Sequence, residues 1–374
     1  MKSIAEIRVE GFRSLRDVTL SPGRITVLIG PNGAGKSNFL SFLKMIPLIR
    51  THSLGRFVGL NGGAAALLHY GPKVTSAITF GIEFAQDGTT NRYAARLEFA
   101  AGDRFVFTDE TVSFRGAGWS VPKTRTFGTG HFESQLRDVA RDPNEKTAAT
   151  VNWWLSRMSF FHVHDTSQQS VLRGTARTSD DRYLRSDGSN LAAVLNRLSK
   201  SGHPDDRVAW DRITVLVRRI APYVKTLEPE LLNPESPESS SVRLRWTDQR
   251  DYRFDVADLS DGTLRALALF TALAQPADSL PAFLCIDEPE LGLHPAAINL
   301  LVELIRSVSD RCQVMLATQS PALLDHFAPE EVVVVEQHNG ETSLRRLDPE
   351  ALKDWLDDYK LSELYDKNVL GGRP

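Results

Sequence analysis

One stretch constrains this chain more than any other: Ile25-Thr26-Val27-Leu28-Ile29-Gly30-Pro31-Asn32-Gly33-Ala34-Gly35-Lys36-Ser37. It reads as a buried strand, a glycine-rich turn and the start of a helix. Beyond the turn, Phe39, Leu40, Phe42, Leu43 and Ile46 form an apolar stripe at helical spacing, which predicts a helix ending before Pro47. Gly30, Gly35, Lys36 and Ser37 satisfy G-x-x-x-x-G-K-[ST], the phosphate-binding loop, in its required strand–loop–helix setting. The chemistry demands these residue types. A triphosphate needs backbone N–H groups converging on its oxygens, and glycines both clear the approach and permit positive φ. The following helix points the positive end of its dipole at the anion. Lys36 then reaches the β- and γ-phosphates of ATP, and Ser37 holds Mg²⁺. The bland alternative is a glycine-rich turn between a core strand and a helix; the complete pattern in this setting argues against it.

A chain of 374 residues is long for one compact domain, so two lobes are expected. Hydrophobic content of 41% and charged content of 24% suit a soluble globular protein. The formal net charge of -3 gives no global attraction to nucleic acid or to a membrane, and leaves a local basic patch open. Cys285 and Cys312 cannot by themselves build a disulfide framework or a structural zinc site. Each borders or lies in an apolar run and reads as a buried small hydrophobe, in keeping with a reducing cytosol. The charged, alternating N-terminus is not a signal peptide, and no apolar run approaches the ~20 residues of a membrane span. A cytoplasmic location without membrane partners follows as the expectation.

In chain order, Ile4 to Leu20 reads as two strands joined by Gly11-Phe12-Arg13-Ser14-Leu15. Gly55 to Gly71 resists assignment. From Val74 to Phe114 alternating runs with a Gln86-Asp87-Gly88 turn predict an antiparallel sheet. Arg115 to Lys146 is polar and irregular. Helices are predicted over Asn190–Leu198 and Val208–Ile220, a solvated loop over Asn233–Ser241, and a hairpin from Val242–Trp246 and Tyr252–Val256. From Asp258 onward helix and strand alternate as in an α/β core, and Pro349 to Tyr365 is mostly helical.

Two further motifs carry chemistry. Pro281-Ala282-Phe283-Leu284-Cys285-Ile286-Asp287-Glu288 is an apolar run ending in two carboxylates. A buried parallel strand is near-continuously apolar, and ligands sit at its C-terminal end. With a phosphate loop upstream, Asp287 is the candidate Mg²⁺ holder and Glu288 the candidate base for the attacking water. Asp258-Leu259-Ser260-Asp261-Gly262-Thr263-Leu264-Arg265 opens a helix with Leu264, Leu267 and Phe270 on one face. Taken alone it is an ordinary N-cap; its position just before the Asp287 strand changes the weighting.

Here a resemblance becomes specific. Leu259-Ser260-Asp261-Gly262-Thr263 resembles the ABC-type signature Leu-Ser-Gly-Gly-Gln, with Asp261 and Thr263 as departures. Asp287-Glu288-Pro289-Glu290-Leu291-Gly292-Leu293-His294-Pro295 resembles the Walker B motif and D-loop of the RecF/SMC/OLD-like branch of ABC ATPases, and His164-Asp165-Thr166 and Asp187-Gly188-Ser189-Asn190-Leu191 resemble segments of stand-alone RecF-like "AAA family" ATPases. Ile29 to Asn38 and Gly11 to Leu15 are similar to the same branch. Gln319, in Ala317-Thr318-Gln319-Ser320-Pro321, stands where the family often carries a switch histidine. The resemblance implies an α/β P-loop NTPase fold of ABC-ATPase head type, with a mixed central sheet, an antiparallel β subdomain and an inserted helical lobe. The implied division is 1–130, 131–240 and 241–374. It further implies ATP held by Arg13, Asn32, Gly33, Gly35, Lys36, Ser37 and Asn38, with Mg²⁺ on Ser37 and Asp287. Glu288, Gln319 and Lys36 are the implied catalytic residues. Ser260, Asp261 and Gly262 would present the signature in trans to ATP on a second copy, which makes a homodimer the simplest closure. The implied output is ATP hydrolysis in DNA repair or anti-phage defence, acting with DNA or with a separate nuclease or effector protein.

Other constellations carry less. His162 and His164 offer a metal pair or a structural or phosphate-contacting role, with no third ligand at obvious spacing. Trp153-Trp154 reads as core. Arg173, Arg177, Arg218, Arg219, Arg243 and Arg245 offer either a nucleic-acid patch or scattered solvated charge, and Asp357-Asp358 a solvated face. Fewer than sixty residues follow Gln319 here, so the expectation is that they do not hold the TOPRIM nuclease domain that OLD-like relatives append. Two rival functions stay open. An ABC transporter's ATPase subunit is opposed by the form of the D-loop and by the roughly 220 residues between P-loop and signature. A nucleotide-gated scaffold with negligible turnover differs from an enzyme only in phosphate release.

Overall fold

The computed structural model describes residues 2–163, 165–233, 235 and 240–372. His164 and most of the loop expected over Asn233–Ser241 therefore lie outside the described residues. The chain divides into two units, Met1–Met158 with Ala317–Pro374, and Ser159–Leu316.

The first unit is built on an antiparallel sheet of strand order β2-β1-β4-β5-β6-β7, comprising β1 (Lys2–Phe12), β2 (Leu15–Leu20), β4 (Ala77–Gln86), β5 (Thr89–Ala100), β6 (Arg104–Arg115) and β7 (Lys123–Thr126). Alternation sets its faces: Ile7, Val9, Phe80, Ile82, Tyr93 and Leu97 are buried. The turn between β4 and β5 is two residues long, Asp87 and Gly88, both at positive φ (50° and 78°). That is the turn whose twist matches flanking strands, so the Asp-Gly signal acted as local chemistry requires. Strand β3 (Ile25–Ile29) has no exposed residue and lies parallel to Val332–His338, with Val27 opposite Val332 and Ile29 opposite Val334. Val332–His338 pairs antiparallel with Glu341–Arg346.

Helix α1 (Lys36–Ile49) couples the phosphate loop to the antiparallel sheet. Phe12, Phe42, Phe80 and Tyr93 form a chain of edge-to-face rings, each pair 5.8 Å apart between centroids. Each buried ring contributes about 1.5–3 kcal/mol. The helix does not stop before Pro47 but runs through it to Ile49. Pro47 sits so near the C-terminus that it forfeits little of the ladder, while full burial of Ile46 and Ile49 holds the last turn. The stretch that resisted assignment forms two short helices, α2 (Leu54–Leu60) and α3 (Ala64–Leu67).

In the second unit the strand Phe283–Asp287 is flanked in its sheet by residues 313–316 and 159–161. The signature helix, Asp261–Ala274, is buried along almost its whole length, with Leu264, Leu267, Phe270 and Leu273 at 0% exposure. It packs against Pro204–Ile220 and Pro295–Val308. The expected helices appear as Leu191–Lys200 and Pro204–Ile220. The expected hairpin pairs Ser241–Asp248 with Arg253–Asp255, and Trp246 stacks on Phe254 at 4.5 Å. A strand the sequence reading left out, Val224–Leu232, pairs along the other edge of Ser241–Asp248. Both cysteines are free and buried.

Candidate functional site

The phosphate loop belongs to the first unit, and its glycines are there for stated reasons. A Cβ on Gly30 would lie 2.3 Å from the Val335 carbonyl oxygen. Gly35 adopts φ +106°, and a Cβ there would lie 1.9 Å from Thr342 Oγ1. Gly33, at φ +84°, faces open space. Thr342 Oγ1 donates to the Ala34 carbonyl (3.1 Å) and lies 2.7 Å from Ser14 Oγ, to which Asn38 Nδ2 also donates at 2.7 Å. The loop is thus clamped from behind by Ser14 and by Thr342, the latter singled out by no local pattern.

Gly35 caps α1 without a side-chain cap bond, and no acidic residue occupies the first turn. The backbone N–H groups and dipole of such a turn fit an anion. The Lys36 side chain is buried, and its ammonium donates to the carbonyls of Gly30 and Pro31 (2.9 Å to the latter). Asn32, Gly33 and Ser37 form the exposed rim. Arg13 stands beside this loop in the left-handed region, φ 48°. Its Nη2 donates to Asn61 Oδ1 (2.9 Å) and its Nη1 to Ser41 Oγ (3.3 Å); burial pushes its pKa below the ordinary guanidinium value. Its carbonyl lies 2.5 Å from His69 Nδ1. An open cavity of about 400 Å³ adjoins these groups, lined by Arg13, Ser14, Asn38, His69, Tyr70 and Gln337 among others. Gln319 is exposed, directly after the strand Gln313–Thr318, and Ser320 N donates to Thr318 Oγ1 (2.9 Å).

The second unit holds the other motifs. Asp287 ends its strand with the side chain 18% exposed, and its Oδ2 lies 3.0 Å from His162 Nδ1. That contact gives His162 a role that sequence spacing alone left undecided. Glu288 adopts φ 47°, a conformation costing a non-glycine residue about 1 kcal/mol or more and concentrated at functional sites. The D-loop turns back on the signature helix: a Cβ on Gly262 would lie 2.6 Å from the Gly292 carbonyl oxygen. Arg265 reinforces this packing by donating from Nη1 to the Leu291 carbonyl. Burial lowers the Arg265 pKa from its ordinary value, against the opposing charges of Asp261 and Glu288. At the N-terminus, Ser260 Oγ accepts from Thr263 N (3.3 Å) and lies 2.8 Å from Thr263 Oγ1, itself 3.2 Å from Tyr223 Oη.

Ser37 in the first unit and Asp287 in the second each carry a hard oxygen donor, the type that suits Mg²⁺ rather than a thiolate- or imidazole-preferring ion. Among the described residues no group of three or more His, Cys, Asp or Glu is arranged to hold a metal ion, and no helix is long and apolar enough to cross a membrane. Three of the arginines that offered either a nucleic-acid patch or scattered solvated charge have partners within their own unit. Arg245 pairs with Glu230 (2.9 Å), Arg243 with Asp255 (3.6 Å), and Arg218 donates to the Lys225 carbonyl (2.8 Å). Of the tryptophan pair, Trp154 is core and Trp153 is 40% exposed.

Known proteins bear this out at the level of fold and family. The chain is 22% identical to an "OLD nuclease" of Thermus scotoductus over 393 residues, covering 97% of this chain and 68% of that protein. It is 24% identical to the "Old nuclease" of Escherichia phage P2 over 370 residues, covering 90% of this chain and only 60% of the relative. Among solved structures, an Smc head bound to the C-winged helix domain of ScpA superposes with a TM-score of 0.61 at 15% identity, covering 93% of this chain and 99% of that one. An Smc head with an extended coiled coil, bound to the C-terminal domain of ScpA and derived from Pyrococcus furiosus, gives 0.58 at 14%, covering 96% and 99%. These likenesses establish the fold as a P-loop NTPase of ABC-ATPase head type. Residues 25–325 match the family "AAA domain, putative AbiEii toxin, Type IV TA system", and the chain belongs to it.

Proposed function

We propose that this chain is a Mg-dependent ATPase that closes head-to-tail on a second copy of itself around ATP and reopens on hydrolysis. The observation that carries the reading is α1, whose first turn has neither a side-chain cap nor an acidic residue and whose Lys36 keeps its ammonium inside the loop. Such a turn is a ready anion site, and the chain supplies one such loop and one signature. Lys36 neutralises the β/γ-phosphates, Gly33 and Gly35 admit them, and Arg13, Asn32 and Asn38 flank them. Ser37 and Asp287 would each offer an oxygen to Mg²⁺, which would supply positive charge against that developing on the phosphates. Glu288 takes the proton of the attacking water; Gln319, whose amide cannot act as a base, positions that water or senses the γ-phosphate. The signature residues Ser260, Asp261 and Gly262 serve the nucleotide of the other copy. The likeness to OLD proteins, one of them from a phage, and membership of a putative toxin family support a role in defence or DNA repair, with DNA or a separate effector as partner and the cytoplasm as the expected compartment.

Mixing tests the shared site. Lys36→Ala and Ser260→Arg should each be inactive alone. In a 1:1 mixture half the dimers are heterodimers with one intact composite site, so about a quarter of wild-type turnover should return. Full activity of Ser260→Arg alone, or no recovery on mixing, refutes the shared site.

A further inference from the structure

The signature of this chain carries a carboxylate, Asp261, at the first helical position. On an ordinary helix that charge would favour the dipole. On a helix that must receive a polyphosphate it is a like charge in the way. The structure supplies a counter-charge from a segment the motif does not include. Arg173 closes a 3-10 turn, Val171–Arg173, and its side chain is only 6% exposed. Its Nε donates to the carbonyls of Thr166 (3.0 Å) and Ser167 (3.1 Å). Its Nη1 faces the carbonyls of Val256 (3.2 Å), Ala257 (2.7 Å) and Leu259 (3.0 Å). Its Nη2 donates to Asp261 Oδ1 at 2.7 Å. The buried guanidinium thus stitches residues 166–167 to the backbone leading into the signature and spends its outermost edge on Asp261, whose side chain is 68% exposed. The planar fork of arginine is suited to this; a lysine ammonium is not.

We propose that Arg173 is the positioning residue of the signature, fixing residues 256–261 and neutralising Asp261 so that the helix N-terminus can accept the γ-phosphate of ATP held by a second copy. This rests on the shared-site reading above. Two roles are contained in it, and they separate experimentally. Loss of the carbonyl contacts cannot be repaired by changing Asp261; loss of the counter-charge can.

The experiment uses the full chain carrying Glu288→Gln, titrated with Mg-ATP, with dimer formation followed by light scattering and ATP binding by calorimetry. Added Arg173→Ala should weaken ATP-driven dimerisation at least tenfold, with nucleotide affinity of the monomer unchanged. Adding Asp261→Asn to Arg173→Ala should recover the counter-charge part of that loss and leave the part due to the carbonyl contacts. Asp261→Asn alone, which leaves Arg173 in place and carries little folding risk, should tighten dimerisation at low salt and lose that gain at high salt. Ser260→Arg in the same background is the control and should block dimers. If the Glu288→Gln parent forms no dimers with ATP, the shared-site reading falls and this inference with it. If the parent dimerises and Ser260→Arg blocks it, but Asp261→Asn neither rescues Arg173→Ala nor tightens closure alone, this inference alone is overturned.

Discussion

Gly35→Ala is the substitution whose cost the structure specifies most fully. Two penalties add. The residue sits at φ +106°, ψ 4°, outside the regions an L-residue occupies comfortably, which costs about 1–3 kcal/mol. The new methyl would also stand 1.9 Å from Thr342 Oγ1 and 2.9 Å from Thr342 Cβ and Cγ2. Thr342 cannot swing aside freely, because its hydroxyl holds the Ala34 carbonyl and Ser14; overpacking of this kind costs about 1–3 kcal/mol. The expected loss is therefore about 2–6 kcal/mol, against a total stability of about 5–15 kcal/mol. Gly33→Ala is the internal control, since its φ is also positive but nothing lies within 4 Å of the added atom. It should incur only the conformational part, about 1–2 kcal/mol. Urea unfolding of both variants, and of each with Thr342→Ala, closes a double-mutant cycle. Thr342→Ala removes the two nearest obstructing groups apart from Cβ, so the double variant should be about 1–2 kcal/mol more stable than the sum of the single losses. Equal losses for Gly33→Ala and Gly35→Ala, or a strictly additive cycle, would refute the steric reasoning.

Two further outcomes follow from buried or strained side chains. Glu110 is fully buried and accepts from Tyr93 Oη (2.7 Å), His131 Nε2 (2.8 Å), Ser134 Oγ and Gln135 N (3.1 Å), while burial, and next the Glu110 charge, hold the Tyr93 phenol pKa well above its ordinary value. Glu110→Ala strands those donors and should cost about 3–5 kcal/mol in chemical unfolding; a change below about 1 kcal/mol would show that water replaces the carboxylate. At Glu288 the backbone, at φ 47°, inverts the usual order of small residues: Glu288→Gly should be about 1 kcal/mol more stable than Glu288→Ala, with turnover lost in both. An alanine variant as stable as the glycine variant would remove the case for strain at this position.

How much was legible beforehand follows from where each interaction lives along the chain. The phosphate loop, the apolar strand ending in Asp287 and the Asp87-Gly88 hairpin are short-range devices. In each, backbone conformation, capping and chemistry are set by neighbours within a few positions, so residue type and spacing suffice. The same locality made the helices Leu191–Lys200 and Pro204–Ile220 readable from their apolar periodicity. Pro47 misled because local propensity was outweighed by burial of Ile46 and Ile49, which is a property of the packed helix. Val224–Leu232 was missed because it carries Pro229 and mixed polarity, and becomes a strand through its pairing with Ser241–Asp248. The partners that tune the candidate site are more remote still. Thr342 reaches Ser14 and Ala34 across more than three hundred residues, and Arg173 reaches Asp261 across 88. His162 meets Asp287, and a buried Glu110 gathers Tyr93, His131 and Ser134. By itself the sequence determined that this chain builds a glycine-rich phosphate-loop turn ahead of a helix and a carboxylate-tipped strand. Tertiary structure decided which charges face which, because hydrogen bonds and ion pairs depend on atoms brought within about 3 Å, and chain folding alone sets that proximity.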